Sequence, residues 1–224
     1  MRMFGRRKSP PAGGERYEGQ DVPPGAGLPV IVMRSSAGAK PDAHGEFYLI
    51  EAVSSFAEKL ADNGCYLWSE IPTLAVRVHC LFDYLGQVEN GGHSLLVGNR
   101  IDPSPVDARQ LAGGPDPIAP LDMAEKLRHA AKALKACGAQ AHLEIVTDLQ
   151  RWLEDIPQLA KRQTGFQGGR AAGLQMLDRR FRALQKTDPV EPRLARWLAS
   201  RPEIEIVEDA DYKQAVRRLV TKNP

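Results

Sequence analysis

Apolar residues recur every three or four positions along most of the chain beyond residue 45, a spacing typical of helices that bury one face. The first apolar stripe runs from Phe47 to Leu60 and ends at Asn63-Gly64, a pair that favours a helix C-cap. The second opens behind Pro72, and we expect it to stop at 90–92, where one asparagine and two glycines stand in a row. The pattern therefore predicts two long helices in the first half of the chain.

The same periodicity predicts further helices in the second half. Asp122 is placed to cap the third helix, and Gly138 is placed to end it in a left-handed conformation. Gln140 to Asp155 gives a fourth helix, packed antiparallel on the third. Later stripes within 174–184 and 192–198 predict two more, and Asp209 caps the last. Apolar runs at 30–33 and 203–207 fit one or two short strands.

These elements predict a mainly all-α fold, with a single helical domain of about seven helices over 28–224. Residues 1–27 are rich in proline and glycine without apolar periodicity, so we expect a disordered arm that is dispensable for folding. Residues 99–120 predict a long loop with one helical turn near 106–111, and 161–173 predict a basic connector.

The charge of the chain is informative only when it is divided along the sequence. Thirty basic and 28 acidic side chains give a formal net charge of +2. By segment the balance is +3 for 1–45, −7 for 46–160 and +6 for 161–224. The acidic middle is either a set of ordinary solvated helix faces or a surface for a basic partner. Glu51, Glu58 and Asp62 are seven and four residues apart, so one side of a helix can present all three.

The sequence contains no recognisable motif for most kinds of enzyme chemistry. The three cysteines form no CxxC pair, the five histidines show no helical metal-ligand spacing, and no glycine-rich phosphate-binding loop follows a strand. We therefore predict no cofactor, no metal and no catalytic residues. No apolar run approaches the length of a membrane span, and a cytoplasmic protein without a membrane partner is expected.

A basic tract between residues 179 and 201 leaves nucleic-acid binding as a less favoured alternative. It contains Arg179, Arg180, Arg182, Lys186, Arg193, Arg196 and Arg201. Such side chains could follow a phosphate backbone, but few aromatic residues stand among them to stack on bases. An ordinary basic helix face is the preferred interpretation.

The most specific motif lies where the second apolar stripe ends. Val88, Asn90, Gly91, Gly92 and Asn99 stand in the order and spacing of a motif from the DNA-mimic-protein family of bacterial domains, most of them of unknown function, which this chain resembles. His93 replaces the usual aromatic residue and Leu95 the usual glutamine. The likeness extends to 31–36 and 133–139 and covers roughly 28–208.

The resemblance implies a non-enzymatic regulator that imitates the charge of DNA and occupies a basic DNA-binding protein. A net charge of +2 departs from that pattern, so only the acidic segment, through Glu51, Glu58 and Asp62, offers a carboxylate face. The alternative is a small-molecule-binding or hydrolytic domain that uses a groove at Asn90, His93 and Asn99. Asn90, Gly91 and Gly92 also have a purely architectural explanation, because these residue types accept the left-handed conformation that ends helices.

Overall fold

The computed structural model describes residues 31–34, 43–64, 66–101, 121–155 and 172–220. Within these ranges the fold is mainly α-helical, as predicted, with seven helices and two short strands. In chain order the elements are β1 (Ile31–Arg34), α1 (Ala43–Gly64), α2 (Thr73–Ile101), α3 (Met123–Ala136), α4 (Gln140–Asp155), α5 (Ala172–Thr187), α6 (Val190–Ala199), β2 (Ile204–Val207) and α7 (Asp209–Val220).

The ends of α3 follow the local rules expected from the sequence. Asp122 accepts a hydrogen bond from the Glu125 backbone N–H, and the Glu125 side chain accepts one in return from the Asp122 N–H. This reciprocal pair satisfies two backbone donors that a helix start leaves without partners. Gly138 follows the helix with a φ of 75°, and the chain then turns directly into α4. The predicted cap and the predicted left-handed glycine are both confirmed.

Helix α2 is the centre of the packing and contacts α1, α3 and α5. Further contacts join α1 to α6, α3 to α4 and α4 to α5, so the helices close around one core. The largest fully buried side chains come from α1 to α5 and include Phe56, Leu81, Leu134, Leu149 and Phe181. Their positions match the apolar stripes of the sequence, because each helix turns its three-to-four-residue stripe inward.

The two strands join the beginning of the described chain to its end. β1 and β2 form a parallel pair with Ile31 opposite Ile204 and Arg34 opposite Val207. Helices α1 and α7 both pack against β1, and α7 also contacts β2. Parallel strands need a crossover connection, and here that connection is nearly the whole helical domain.

Helix α2 departs from its predicted end. Helical structure continues to Ile101, but it is interrupted at Gly92, whose φ of 75° and ψ of 178° are not helical. The predicted stop at 90–92 is therefore a break between two helical segments, because helix forms again directly beyond the glycine. The predicted arm 1–27, the turn near 106–111 and most of the connector 161–173 lie outside the described residues. Among the described helices, none combines the length and apolar character needed to span a membrane.

Candidate functional site

Three polar side chains meet inside the protein at the break in α2. Tyr84 and His93 lie on α2, before and after the break, and Asp178 lies on α5. The phenol oxygen of Tyr84 is 3.0 Å from Nε2 of His93, and Nδ1 of His93 is 2.6 Å from Oδ1 of Asp178. The same carboxylate oxygen accepts the backbone N–H of His93 at 2.8 Å. We call Tyr84, His93 and Asp178 the buried triad.

The hydrogen bonds define the protonation pattern of the buried triad. Asp178 can only accept when ionised, so Nδ1 of His93 carries a hydrogen, and a second hydrogen bond joins Nε2 of His93 to the Tyr84 hydroxyl. Burial, reinforced by the Asp178 charge, raises the pKa of Tyr84 and keeps its phenol protonated. Burial also acts to raise the pKa of Asp178, but the hydrogen bonds from the His93 ring and backbone outweigh it and hold that pKa below 3.8.

Only glycine fits at position 92, which lies against the carboxylate of Asp178. Its combination of positive φ with ψ near 180° is a region that essentially only glycine occupies. A Cβ atom built on Gly92 would lie 2.6 Å from Oδ2 of Asp178, a separation that real Cβ contacts do not show. The prediction that Gly91 or Gly92 has a positive φ is thus confirmed at Gly92.

The aromatic ring of Phe181 packs against the buried triad. The Phe181 ring meets the Tyr84, His93 and His142 rings edge to face, with centroids 6.2, 6.1 and 5.7 Å away. His142 is also buried, and its Nε2 lies 3.1 Å from the Asp188 carbonyl oxygen, to which it donates. Burial lowers the pKa of His142, so this imidazole is held neutral.

This arrangement is suited to holding structure together and not to reacting with a substrate. The His93 side chain is 0% exposed, Tyr84 is 3% exposed and the Asp178 side chain is 14% exposed, and both ring nitrogens of His93 already have partners. A general base needs a free nitrogen within reach of a substrate proton. The buried triad instead fastens the two segments of α2 to α5.

Asn90 and His93, two of the three residues predicted to line a groove after the second helix, have different surroundings in the structure. Asn90 and Gly91 are exposed, whereas His93 is fully buried. The side chain of Asn99 lies outside the described set. Sequence reasoning selected His93 but missed both of its partners, Tyr84 and Asp178. A signal for Asp178 was present, because it lies four residues after Leu174 and three before Phe181, on the inward stripe of α5.

The acidic middle segment contains both engaged and free carboxylates. Asp83 forms an ion pair with Lys126 at 2.8 Å, and Glu89 accepts a hydrogen bond from Gln185. By contrast, Glu51 and Glu58 are exposed on α1, and no cation lies within ion-pair distance of either among the described residues. The backbone of Asp62 continues the same helical side, although its side chain is not described. We call Glu51, Glu58 and Asp62 the acidic stripe.

An aromatic pair lies close to the acidic stripe, and the exposed Leu67 adjoins it in the chain. After α1 ends, Leu67 is 49% exposed, and the half-buried Trp68 ring stacks on His79 with centroids 5.2 Å apart. Burial lowers the pKa of His79, although the charges of Asp83 and Glu58 act in the opposite direction. Nδ1 of His79 lies 3.2 Å from the hydroxyl oxygen of Ser54, one helical turn before Glu58, so this end of the acidic stripe lies beside the aromatic pair.

The basic tract divides into paired and unpaired cations. Arg180 forms an ion pair with Asp148, Arg193 with Asp188, and Arg201 with Glu203. Arg179, Arg182 and Lys186 are exposed on α5 without an ion pair in the described part of the chain. The tract is therefore partly neutralised and is not a continuous cationic surface.

No group of histidine, cysteine and acidic side chains within the described ranges could hold a metal ion. Cys80 is buried and Cys137 is half-buried, and burial raises the pKa of Cys137, which disfavours the reactive thiolate. In comparisons with known proteins, no family model, no curated protein and no solved structure matches this chain.

Proposed function

We propose that this chain is a non-enzymatic interaction protein that binds a basic protein partner through the acidic stripe on α1. The observation that carries the proposal is the exposure of Glu51 and Glu58 on one helix side, with no cation paired to either among the described residues. Unpaired carboxylates in a row steer and orient a cationic partner.

The only lysine of α1 does not neutralise the acidic stripe. Lys59 directs its amino group to Tyr212 of α7, with 3.5 Å between Nζ and the phenol oxygen and 5.5 Å between Nζ and the ring centroid. This contact keeps the lysine charge on the side of α1 that faces α7. The carboxylates of Glu51 and Glu58 are thus left for a partner.

The neighbouring apolar surface gives the partner a second requirement. Leu67 is among the most exposed large apolar side chains of the described residues, and Trp68 is only half-buried. Aromatic and apolar anchors supply most of the affinity of protein interfaces, while charges at the rim supply steering. A partner segment that combines Lys or Arg with apolar residues fits this surface.

The charge spacing favours a protein-sized interaction over imitation of a whole duplex. Seven residues separate Glu51 from Glu58, about 10 Å along the helix axis, and four more reach Asp62. Double-stranded DNA carries one charge for about every 1.7 Å of its axis. Membership of the DNA-mimic-protein family stays a prediction, and the proposed binding needs only a few partner cations.

A charge-reversal experiment tests this proposal. In one variant Glu51, Glu58 and Asp62 are changed to lysine. In a matched control Glu144, Glu154 and Glu205, which are exposed on other elements, are changed in the same way, so that both variants gain the same charge. A partner is captured on the parent chain from the native cell, and its Kd for each purified chain is measured at about 0.1 and 0.5 M salt.

The acidic-stripe variant should bind at least about tenfold more weakly at the lower salt, and the parent should lose affinity as salt rises. The control variant should bind as the parent does. Equal binding by the acidic-stripe variant, without salt dependence, would reject the proposal. Unchanged thermal midpoints would verify that neither set of exposed substitutions alters folding.

A further inference from the structure

A second charged cluster lies between α2 and α3 and is independent of the acidic stripe. Lys126 of α3 contacts Asp83 of α2, and further along α3 the charge of Arg77, six residues earlier on α2, acts on His129. A step forward along α3, from Lys126 to His129, therefore corresponds to a step back along α2, from Asp83 to Arg77. This antiparallel register places Arg77 opposite the α3 turn that carries Arg128, His129 and Lys132. We call these four residues the α2–α3 basic cluster.

The α2–α3 basic cluster has no counter-charge among the described residues. The ion pairs among the described residues all involve other cations. Arg77, Arg128 and Lys132 therefore have no carboxylate within ion-pair distance in this part of the chain. Two buried nitrogen atoms of the cluster, Nε of Arg77 and Nδ1 of His129, also have no hydrogen-bond partner in the described structure. Buried polar atoms are normally hydrogen-bonded, so both atoms can still take a ligand as their partner.

We propose that the α2–α3 basic cluster binds a small tetrahedral oxyanion of the phosphate class. The planar fork of an arginine matches two oxygens of such an anion, and a lysine adds a compact positive charge. Arg77 comes from α2 and Arg128 and Lys132 from α3, and the charges of all three act on the His129 imidazole, which suits a compact anion better than an extended polymer. Inorganic phosphate and the phosphate group of a small monoester share this chemistry, and the experiment separates the two sources.

His129 provides a local reporter of the bound anion. Burial, with the charges of Lys132, Arg77 and Arg128, lowers the pKa of its imidazole to about 4, so His129 is neutral at pH 7. A bound phosphate, which is mainly a monoanion at the acidic pH where His129 titrates, would oppose these three positive charges. The pKa of His129 should therefore rise when the anion binds, whereas the other histidines should be unaffected.

The test is an NMR titration of the full chain with sodium phosphate at constant ionic strength, and in a parallel arm with glycerol phosphate. The His129 Cε1 proton, assigned with a His129→Gln variant, should shift saturably, and its pKa should rise by about one unit. Tighter binding of glycerol phosphate than of inorganic phosphate would identify a monoester as the ligand source. Equal or weaker binding would identify the free anion.

Substitutions on α3 locate the site. Arg128→Gln and Lys132→Gln should each weaken phosphate binding by about tenfold. The matched control is Lys213→Gln, which removes an exposed charge on α7, a helix that packs on α1 and the strands. The control should leave the Kd unchanged. A His129 signal that moves linearly without saturation, or an equal effect of Lys213→Gln, would overturn the proposal.

Discussion

Replacing Gly92 with alanine tests the architecture of the buried triad. Strain from a non-glycine residue at this φ and ψ costs about 1–3 kcal/mol. The new methyl group would also displace Asp178, whose carboxylate lies 2.6 Å from the Cβ position and accepts two hydrogen bonds from His93. Loss of a charge-assisted hydrogen bond destabilises the fold by about a further 1.5–3 kcal/mol. Alanine also lowers the entropy of the unfolded chain, which offsets about 0.5–1 kcal/mol of this destabilisation.

We therefore expect Gly92→Ala to lower the free energy of unfolding by about 3 kcal/mol, measured by urea denaturation followed by circular dichroism. Two other glycines are matched controls. Gly138 shares the φ of 75° but has no atom within 4 Å of its Cβ position, so Gly138→Ala should cost only strain, about 1 kcal/mol. Gly86 lies in α2 with open space around it, so Gly86→Ala should stabilise by about 0.5–1 kcal/mol.

A double substitution separates the clash from the strain. In an Asp178→Ala background, Gly92→Ala should cost about 1–2 kcal/mol less than it does in the parent chain, because the carboxylate is no longer there to be displaced. The account of the buried triad would be refuted if Gly92→Ala were no more destabilising than Gly138→Ala, or if the two substitutions at residues 92 and 178 were additive.

Three further predictions concern stability. Tyr84→Phe removes the hydroxyl that is hydrogen-bonded to Nε2 of His93 and should lower the free energy of unfolding by about 1–2 kcal/mol in urea denaturation, while an unchanged midpoint would contradict the hydrogen bond. Asp178 has a folded-state pKa below 3.8, so its contribution is complete above the unfolded pKa and is lost as pH falls through the folded pKa. The difference in the free energy of unfolding between the parent and Asp178→Asn should therefore become smaller as the pH falls from 5 to strongly acidic values. A difference that stays constant with pH would disprove that Asp178 is ionised in the folded protein. Deletion of 1–27 should leave the thermal midpoint unchanged, and a loss of several degrees would show that this segment packs on the domain.

Local sequence patterns predicted most of the fold because they encode local physics. The Asp122 cap, the Gly138 turn and the range Gln140–Asp155 were all readable from residues within a few positions of one another. The continuation of α2 beyond Gly92 was not readable, since two glycines are an ordinary end for a helix. Here the second segment is held by tertiary contacts to α5.

The buried triad could be predicted only in part from the sequence. His93 and Asp178 are 85 positions apart, and no local periodicity reports a pairing across that separation. The acidic stripe was predictable in its spacing, because Glu51 and Glu58 are on one side of any helix that contains both. Its lack of paired cations was not, since the direction taken by Lys59 depends on the packing of α7 against α1.

Carboxyl footprinting of the complex with the captured partner tests the proposed binding face most directly. A carbodiimide with an amine label modifies exposed carboxylates, and mass spectrometry reads each site with and without the partner. Glu51 and Glu58 should be protected several-fold in the complex, while the exposed Glu144 and Glu154 of α4 should react at the same rate in both samples. Labelling of Glu51 and Glu58 at undiminished rates in a saturated complex would contradict binding through the acidic stripe.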